Sequence, residues 1–149
     1  MPSRTPSSRP RRRPGSPSPK TQRPPRGPTR RLRAIRGAIS VDHDESTAIY
    51  DATRELLSAI VARNGVATGD IISVIFTVTA DLRSAFPALA ARQMGWIDVP
   101  LLCTMEIPVP GALGRCIRVL LHVETTRPRS RIEHVYLREA ESLRPDQAR

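Results

Sequence analysis

The excess positive charge of this chain is confined to its first 32 residues, which limits the part that can fold. Residues 1–32 hold 10 lysines and arginines, no acidic residue and 9 of the 15 prolines, whereas residues 33–149 hold 14 arginines and 14 acidic residues. A segment so rich in proline and like charge has too little apolar surface to offset the entropy lost on folding. We therefore expect residues 1–32 to be disordered, residues 33–146 to form one domain and residues 147–149 to be a short tail.

The net charge of +10 does not by itself make this chain a nucleic-acid binder. The folded part is nearly neutral and lacks a basic face with interleaved aromatic residues, so any nucleic-acid binding should be weak and made through the basic extension. No apolar run approaches the roughly 18 residues needed to span a bilayer. Met1 is also not followed by an apolar core typical of a signal peptide. We expect a cytoplasmic protein with no membrane contact and a dispensable extension.

Apolar periodicity predicts alternating strands and helices. The predicted strands are 33–41, 70–79, 99–105, 116–125 and 134–137, and the predicted helices run from Ser46 to Gly65 and over 88–94. This order, β-α-β-α-β-β-β, indicates an α+β fold with helices packed on one face of a mixed β-sheet. The nearly continuous apolar character of residues 70–79 predicts a strand covered on both faces.

Two arginines and one carboxylate stand out against apolar surroundings. Arg118 lies within Cys-Ile-Arg-Val-Leu-Leu, Arg36 within Ala-Ile-Arg-Gly-Ala, and Glu106 at the end of an apolar run. A charge in such a run is tolerated when a partner or ligand offsets its desolvation. We therefore expect both arginines to be enclosed and to form, with Glu106, a pocket for a small, doubly anionic ligand with a carbon framework.

Each candidate also has an ordinary structural explanation. Arg118 is alternatively an edge arginine reaching solvent, and Glu106 alternatively a solvated loop residue. Tyr136 and Phe86 are alternatively core residues, and Arg92 a solvated helix residue.

The remaining polar residues form no recognisable catalytic or metal-binding motif. The three histidines have no metal-ligand spacing, and Cys103 and Cys116, which lie in apolar runs, are expected to be reduced thiols. Motifs for an activated nucleophile, a phosphate-binding loop or a dinucleotide are not found. The sequence therefore shows no motif for acyl, phosphoryl or hydride transfer.

Five separated segments resemble, in order, the monofunctional chorismate mutases of the trimeric pseudo-α/β-barrel class. They are IRGAISVDHD, TADLRSAFPALAARQMGW, VPLLCTMEIPVPGALGRCIRVLLHV, HVYL and LRPD, and the resemblance spans roughly residues 33–146. It implies a homotrimer with sites between subunits and conversion of chorismate to prephenate, in phenylalanine and tyrosine biosynthesis. It further implies an intramolecular Claisen rearrangement that needs no cofactor or metal and depends on positioning and electrostatics.

The resemblance also implies roles for individual residues. Arg118 would donate to the ether oxygen and to a carboxylate, while Arg36 would hold the enolpyruvyl carboxylate with help from Tyr136. Glu106 would accept a hydrogen bond from the ring hydroxyl and face the cationic side of the ring, with Cys103 near the same hydroxyl. The other implied binding residues are the apolar walls Phe86 and Leu143 and the basic rim residues Arg92 and Arg144.

The chain departs from the family pattern in two places. Thr104 and Met105 stand where the family usually has Met-Gln, and Leu89 stands where it often has lysine. Cys103 and Glu106 keep their spacing, whereas Leu89 removes a positive charge from the rim.

A non-catalytic trimeric module that binds small metabolites is the alternative function.

Overall fold

One mixed β-sheet with two helices makes up the fold of residues 26–147, the part of the chain that the computed structural model describes. The elements are β1 (Arg31–Ser40), α1 (Ser46–Asn64), β2 (Ile71–Val78), α2 (Pro87–Gln93), β3 (Leu101–Met105), β4 (Cys116–Thr125) and β5 (Val135–Leu137). Short 3-10 helices lie at Thr68–Asp70, Arg129–Arg131 and Arg138–Leu143. The predicted α+β class and the order of elements are confirmed.

The strands are arranged so that β4 lies at the centre of the sheet. The order across the sheet is β3-β2-β4-β1-β5. β4 pairs antiparallel with both β1 and β2, while β3 is parallel to β2 and β5 is parallel to β1. In this register Arg118 of β4 lies between Ala38 of β1 and Thr77 of β2. The chain's most distinctive arginine is therefore central to the sheet and not at its edge.

Both helices cover the same face of the sheet. A Cβ atom added at Gly37 would point at α1 and lie 2.8 Å from Cδ1 of Ile60 and 3.0 Å from Cδ1 of Leu56. The absence of a side chain at this position therefore allows the helix to approach β1. Side chains alternate along a strand, so Arg36 and Ala38 face away from the helices. We call this other side of the sheet the open face. The buried core on the helix side includes Ile35, Ile39, Leu56, Leu57, Ile60, Val74, Phe76, Ile117, Val119 and Leu121.

The helix α1 ends where its sequence predicts. Gly65 caps its C-terminus in the left-handed conformation with φ 60°, and the glycine N–H donates to the Val61 carbonyl, a conformation that costs other residues more. Within residues 26–147, no helix has the length and apolar character to cross a membrane.

Asn64 attaches the end of α1 to the segment that leads into β5. Its amide nitrogen donates to the carbonyls of Ile60 and Glu133 at 3.0 and 2.8 Å, and its oxygen accepts from the Glu133 N–H at 2.8 Å. The side chain is almost fully buried, where unmade hydrogen bonds are costly. This contact fixes the approach to β5, the strand that carries Tyr136.

The prediction that β2 is covered on both faces is wrong for the single chain. Ile72 is exposed and Ile75 only partly buried, because both helices pack on the opposite side. The apolar run thus reflects a core on one face and an apolar open face on the other.

The first strand begins earlier than predicted. Arg31 pairs with Thr125 and Leu32 with Glu124, because β4 is long enough to continue the ladder, so β1 begins two residues before the predicted domain boundary. Arg30 also forms an ion pair with Asp70. The expectation of disorder for residues 1–25 falls outside the described residues.

Candidate active site

A cavity of about 390 Å³ lies on the open face, over the centre of the sheet. It is lined by six of the residues predicted for the site, which come from β1, β4, β5 and the segments after β3 and β5. They are Arg36, Glu106, Arg118, Tyr136, Leu143 and Arg144. The fold therefore gathers residues that are more than 100 positions apart in the sequence, and we call this space the central cavity.

Strand alternation directs both arginines into the central cavity. Arg36 lies opposite Leu120, two residues along β4 from Arg118, and both positions belong to the open face. The expectation that they are enclosed is wrong for the single chain, where Arg36 is exposed and the Arg118 side chain is 46% exposed. Their apolar sequence neighbours point into the helix-side core, whereas the arginines project the other way. The alternative of an edge arginine is also wrong, since β4 is central.

Glu106 is held firmly and is not a solvated loop residue. Its N–H donates to the Val78 carbonyl at 2.9 Å, which continues the pairing of β3 with β2 by one residue. Only 19% of its side chain is exposed. The Thr77 hydroxyl donates to Oε1, and Nε of Arg118 lies 3.5 Å from the same oxygen. The carboxylate therefore sits between β2 and β4 at the border of the central cavity.

Tyr136 and Leu143 form the apolar side of the cavity. Tyr136 is paired with Ala38 through the parallel β1–β5 ladder, and a small buried cluster of Ala38, Cys116, Tyr136 and Ala140 has Leu143 packed against it. Tyr136 is buried, as the alternative of a core residue requires, and the same side chain also lines the cavity. An apolar support fixes the ring beside the arginines.

Arg144 already holds an intramolecular carboxylate. Its Nε and Nη2 donate to the two oxygens of Asp146 at 3.0 and 2.9 Å. The Arg144 guanidinium lowers the pKa of the Asp146 carboxyl through these hydrogen bonds. Arg144 thereby demonstrates the bidentate geometry with which a guanidinium binds a carboxylate.

Burial shifts the pKa of two groups that lie near the arginines. Burial and then the nearby charges of Arg36 and Arg144 lower the pKa of His134, whose Nδ1 accepts the Arg36 backbone N–H at 3.0 Å. Burial raises the pKa of the Cys116 thiol, against the opposing effect of Arg118. Both shifts favour the uncharged form of a group that lies beside Arg36 or Arg118.

Three predicted residues lie outside the central cavity, near the β3 edge of the sheet. Phe86 and Cys103 line a separate cavity of about 380 Å³, and Arg92, on α2, is close enough to Cys103 to oppose the rise that burial causes in the thiol pKa. Phe86 is not a core residue of the single chain, because it is 73% exposed. Arg92 is exposed, as expected of a solvated helix residue. We call Phe86, Arg92 and Cys103 the edge group.

The sequence analysis missed Thr77, Ile75 and Leu120, which also line the central cavity. Ile75 and Thr77 alternate with the core residues Val74 and Phe76 along β2, so strand periodicity could have assigned them to the open face. The position of Thr77 opposite Arg118 depends on the register of β2 against β4, which sequence alone does not supply.

Comparison with known proteins gives one consistent result. The sequence pattern of the family "Chorismate mutase type I" matches residues 32–147. A chorismate mutase of Thermus thermophilus is 56% identical over 116 residues, covering 77% of this chain and 95% of the relative. A chorismate mutase of Bacillus subtilis is 40% identical over 116 residues, with 77% and 91% covered. The structure of a Clostridium thermocellum chorismate mutase matches with a TM-score of 0.72 and 50% identity, covering 73% of this chain and 97% of the other.

Proposed function

Since this chain belongs to the chorismate mutase type I family and is a chorismate mutase, we propose that the central cavity is where it converts chorismate to prephenate. The reaction breaks an ether C–O bond and forms a C–C bond within one molecule, so product and substrate are isomers. The enolpyruvyl side chain must first fold over the ring. A protein accelerates such a step by positioning the substrate and stabilising the charge that develops.

The charge of the central cavity suits this substrate. Chorismate carries two carboxylates on a carbon framework, and the cavity presents Arg36, Arg118 and Arg144 against the single carboxylate of Glu106. Tyr136 and Leu143 supply apolar walls. The combination of guanidinium groups for the carboxylates and an apolar surface for the ring is the observation that carries the proposal.

Arg118 has the leading catalytic role in this proposal. Negative charge accumulates on the ether oxygen as the C–O bond breaks, and a planar guanidinium reaches that oxygen and a carboxylate together. Arg118 sits on the central strand between two paired strands, so its Cα position is fixed before the substrate arrives. Such a preorganised donor contributes most in the transition state.

Glu106 complements Arg118 on the opposite end of the breaking bond. The ring becomes electron-poor as the bond to oxygen breaks, and a nearby carboxylate stabilises this positive charge. Glu106 also accepts a hydrogen bond from the ring hydroxyl in this assignment. Arg36 holds the enolpyruvyl carboxylate with the Tyr136 hydroxyl, and Arg144 exchanges its Asp146 partner for the substrate.

We extend the proposal to a homotrimer in which one subunit's edge group completes the next subunit's central cavity. In a single chain the Arg118 side chain is 46% exposed. An ether bound beside it would therefore remain in contact with water. Large apolar side chains are exposed at and after β3, as expected of a surface that packs against another subunit. They include Leu102, Met105, Ile107 and Val109, together with Phe86. The free thiols Cys103 and Cys116 suit a reducing compartment, and we propose a cytoplasmic location.

Mixing two inactive variants tests the shared site. Arg118→Ala damages the central cavity, and Phe86→Asp places a negative charge in the edge group, against a dianion. When the two variants are denatured and refolded together, about a quarter of the pockets in random trimers combine an intact cavity with an intact edge group. We therefore expect chorismate consumption, followed by absorbance, to recover to about a quarter of wild type.

The matched control mixes Arg118→Ala with Glu106→Ala, since both lie in the same cavity and no pocket can be rebuilt. Light scattering verifies that each variant and each mixture forms trimers. Equal, negligible activity in the two mixtures would contradict a site shared between subunits.

A further inference from the structure

The two oxygens of the Glu106 carboxylate have different surroundings. Oε1 accepts a hydrogen bond from the Thr77 hydroxyl and is the oxygen that faces Nε of Arg118, at 3.5 Å. Oε2 makes no hydrogen bond with any residue in the described part of the chain, nor is it an unpartnered buried atom there. Oε1 is thus bonded to the side chain of Thr77 on β2, whereas Oε2 is available to a ligand.

The sheet register explains why the hydroxyl is at this position. Thr77 pairs with Arg118 across the β2–β4 ladder, so both side chains project from the open face side by side. The backbone bond from Glu106 to Val78 brings the glutamate next to Thr77. A β-branched threonine has few rotamers in a strand, so its hydroxyl is a well-fixed donor between the two charged groups.

Without that donor, the carboxylate has an obvious alternative partner. The contact of 3.5 Å between Arg118 and Oε1 is longer than the 2.7 to 2.9 Å typical of a charge-assisted hydrogen bond. A small movement of Glu106 would convert it into a two-pronged ion pair. In that pair the Arg118 guanidinium would no longer be free to bind the ether oxygen, and the Glu106 carboxylate would no longer be free to bind the ring hydroxyl.

We propose that Thr77 is a positioning residue for the rearrangement, holding Oε1 of Glu106 so that Oε2 faces the substrate and the carboxylate does not close onto Arg118. This inference rests on the proposed function of the central cavity. Thr77 touches no reacting atom in this assignment and acts through Glu106. Its loss should therefore reduce kcat more than it weakens substrate binding, because the carboxylate groups of the substrate keep their guanidinium partners.

Thr77→Val tests the hydroxyl at nearly constant shape and with a side chain that suits a strand. We expect kcat to fall on the order of tenfold, the scale of one hydrogen bond to a charged group, with KM changed by less than about threefold. Thr77→Ser, which keeps the donor, should retain kcat within about threefold of wild type. Thr77→Ala should behave as valine does, and it serves if the valine variant assembles poorly.

A double-mutant cycle with Glu106→Ala separates positioning from a structural role. If Thr77 acts through Glu106, Thr77→Val should change kcat by less than about twofold in the Glu106→Ala background. The control Thr53→Val removes a buried hydroxyl that bonds to the Ile49 carbonyl within α1, far from the cavity, and should lower thermal stability without lowering kcat.

The outcomes distinguish this inference from the function on which it rests. Full kcat in Thr77→Val, an equal loss in Thr77→Ser, or an undiminished Thr77→Val effect in the Glu106→Ala background would overturn the role of Thr77 alone. Near-normal kcat in Glu106→Ala would instead overturn the assignment of the central cavity.

Discussion

Replacing Arg118 by lysine should lower kcat on the order of 10²-fold, the scale seen when one preorganised donor is removed from a developing negative charge. Lysine keeps the positive charge but replaces the planar fork with a compact ammonium, which cannot address the ether oxygen and a carboxylate in the same way. Arg118→Ala should lose more activity because the charge is also removed. KM should rise less than kcat falls, since Arg36 and Arg144 still attract the dianion.

Steady-state kinetics on the folded, assembled protein measure this effect, with circular dichroism and light scattering as checks of structure. Arg115→Lys is the matched control, because Arg115 precedes the same strand and donates to the Asp42 carbonyl and not into the central cavity. A lysine variant at position 118 with kcat within about threefold of wild type would contradict the claim that the guanidinium fork carries the catalysis.

Replacing Glu106 by glutamine should also lower kcat on the order of 10²-fold while the fold persists. Glutamine keeps the size and an oxygen that accepts from Thr77, so the change isolates the negative charge that faces the ring. The loss should be larger in kcat than in KM, because positive charge on the ring exists only as the ether bond breaks.

The same kinetics apply to Glu106→Gln, with Glu124→Gln as its control. Glu124 is an exposed carboxylate at the far end of β4, so its loss should leave kcat unchanged. Near-normal turnover by a folded, assembled Glu106→Gln variant would mean that the Glu106 carboxylate is not needed for catalysis.

The strands and helices were predictable because local patterns determine them. The helical spacing of apolar residues and the left-handed Gly65 set α1, and the largely apolar run Cys116–Thr125 sets β4. The boundary of β1 was missed by two residues because its first pairs depend on β4, more than 90 residues away. Such long-range pairing leaves little trace in the short segment that is paired.

The site was predictable where charge conflicts with its surroundings. Arg36, Arg118 and Glu106 stand out because their neighbours are apolar, and they do meet in one cavity. Their exposure was predicted wrongly because a run of apolar neighbours does not tell which face of the sheet a helix covers. Thr77 was missed because a threonine in a strand gives no sequence signal of function. Only the register places it beside Glu106 and Arg118.

The edge group presents a different difficulty. The resemblance assigns Phe86, Arg92 and Cys103 to the same site as Arg118, whereas the single chain keeps Phe86 and Cys103 in a separate cavity. The proposed trimer would account for this separation, since residues that lie apart in one chain can meet across an interface between subunits.

The most direct measurement is a crystal structure of the assembled protein with a bicyclic dicarboxylate ether that mimics the transition state. The account predicts this mimic in the central cavity, with its ether oxygen about 3 Å from the Arg118 guanidinium and its hydroxyl on Oε2 of Glu106. Phe86 of an adjacent subunit should close the pocket. A mimic bound elsewhere, or bound in the cavity with its ether oxygen turned away from Arg118, would contradict the account.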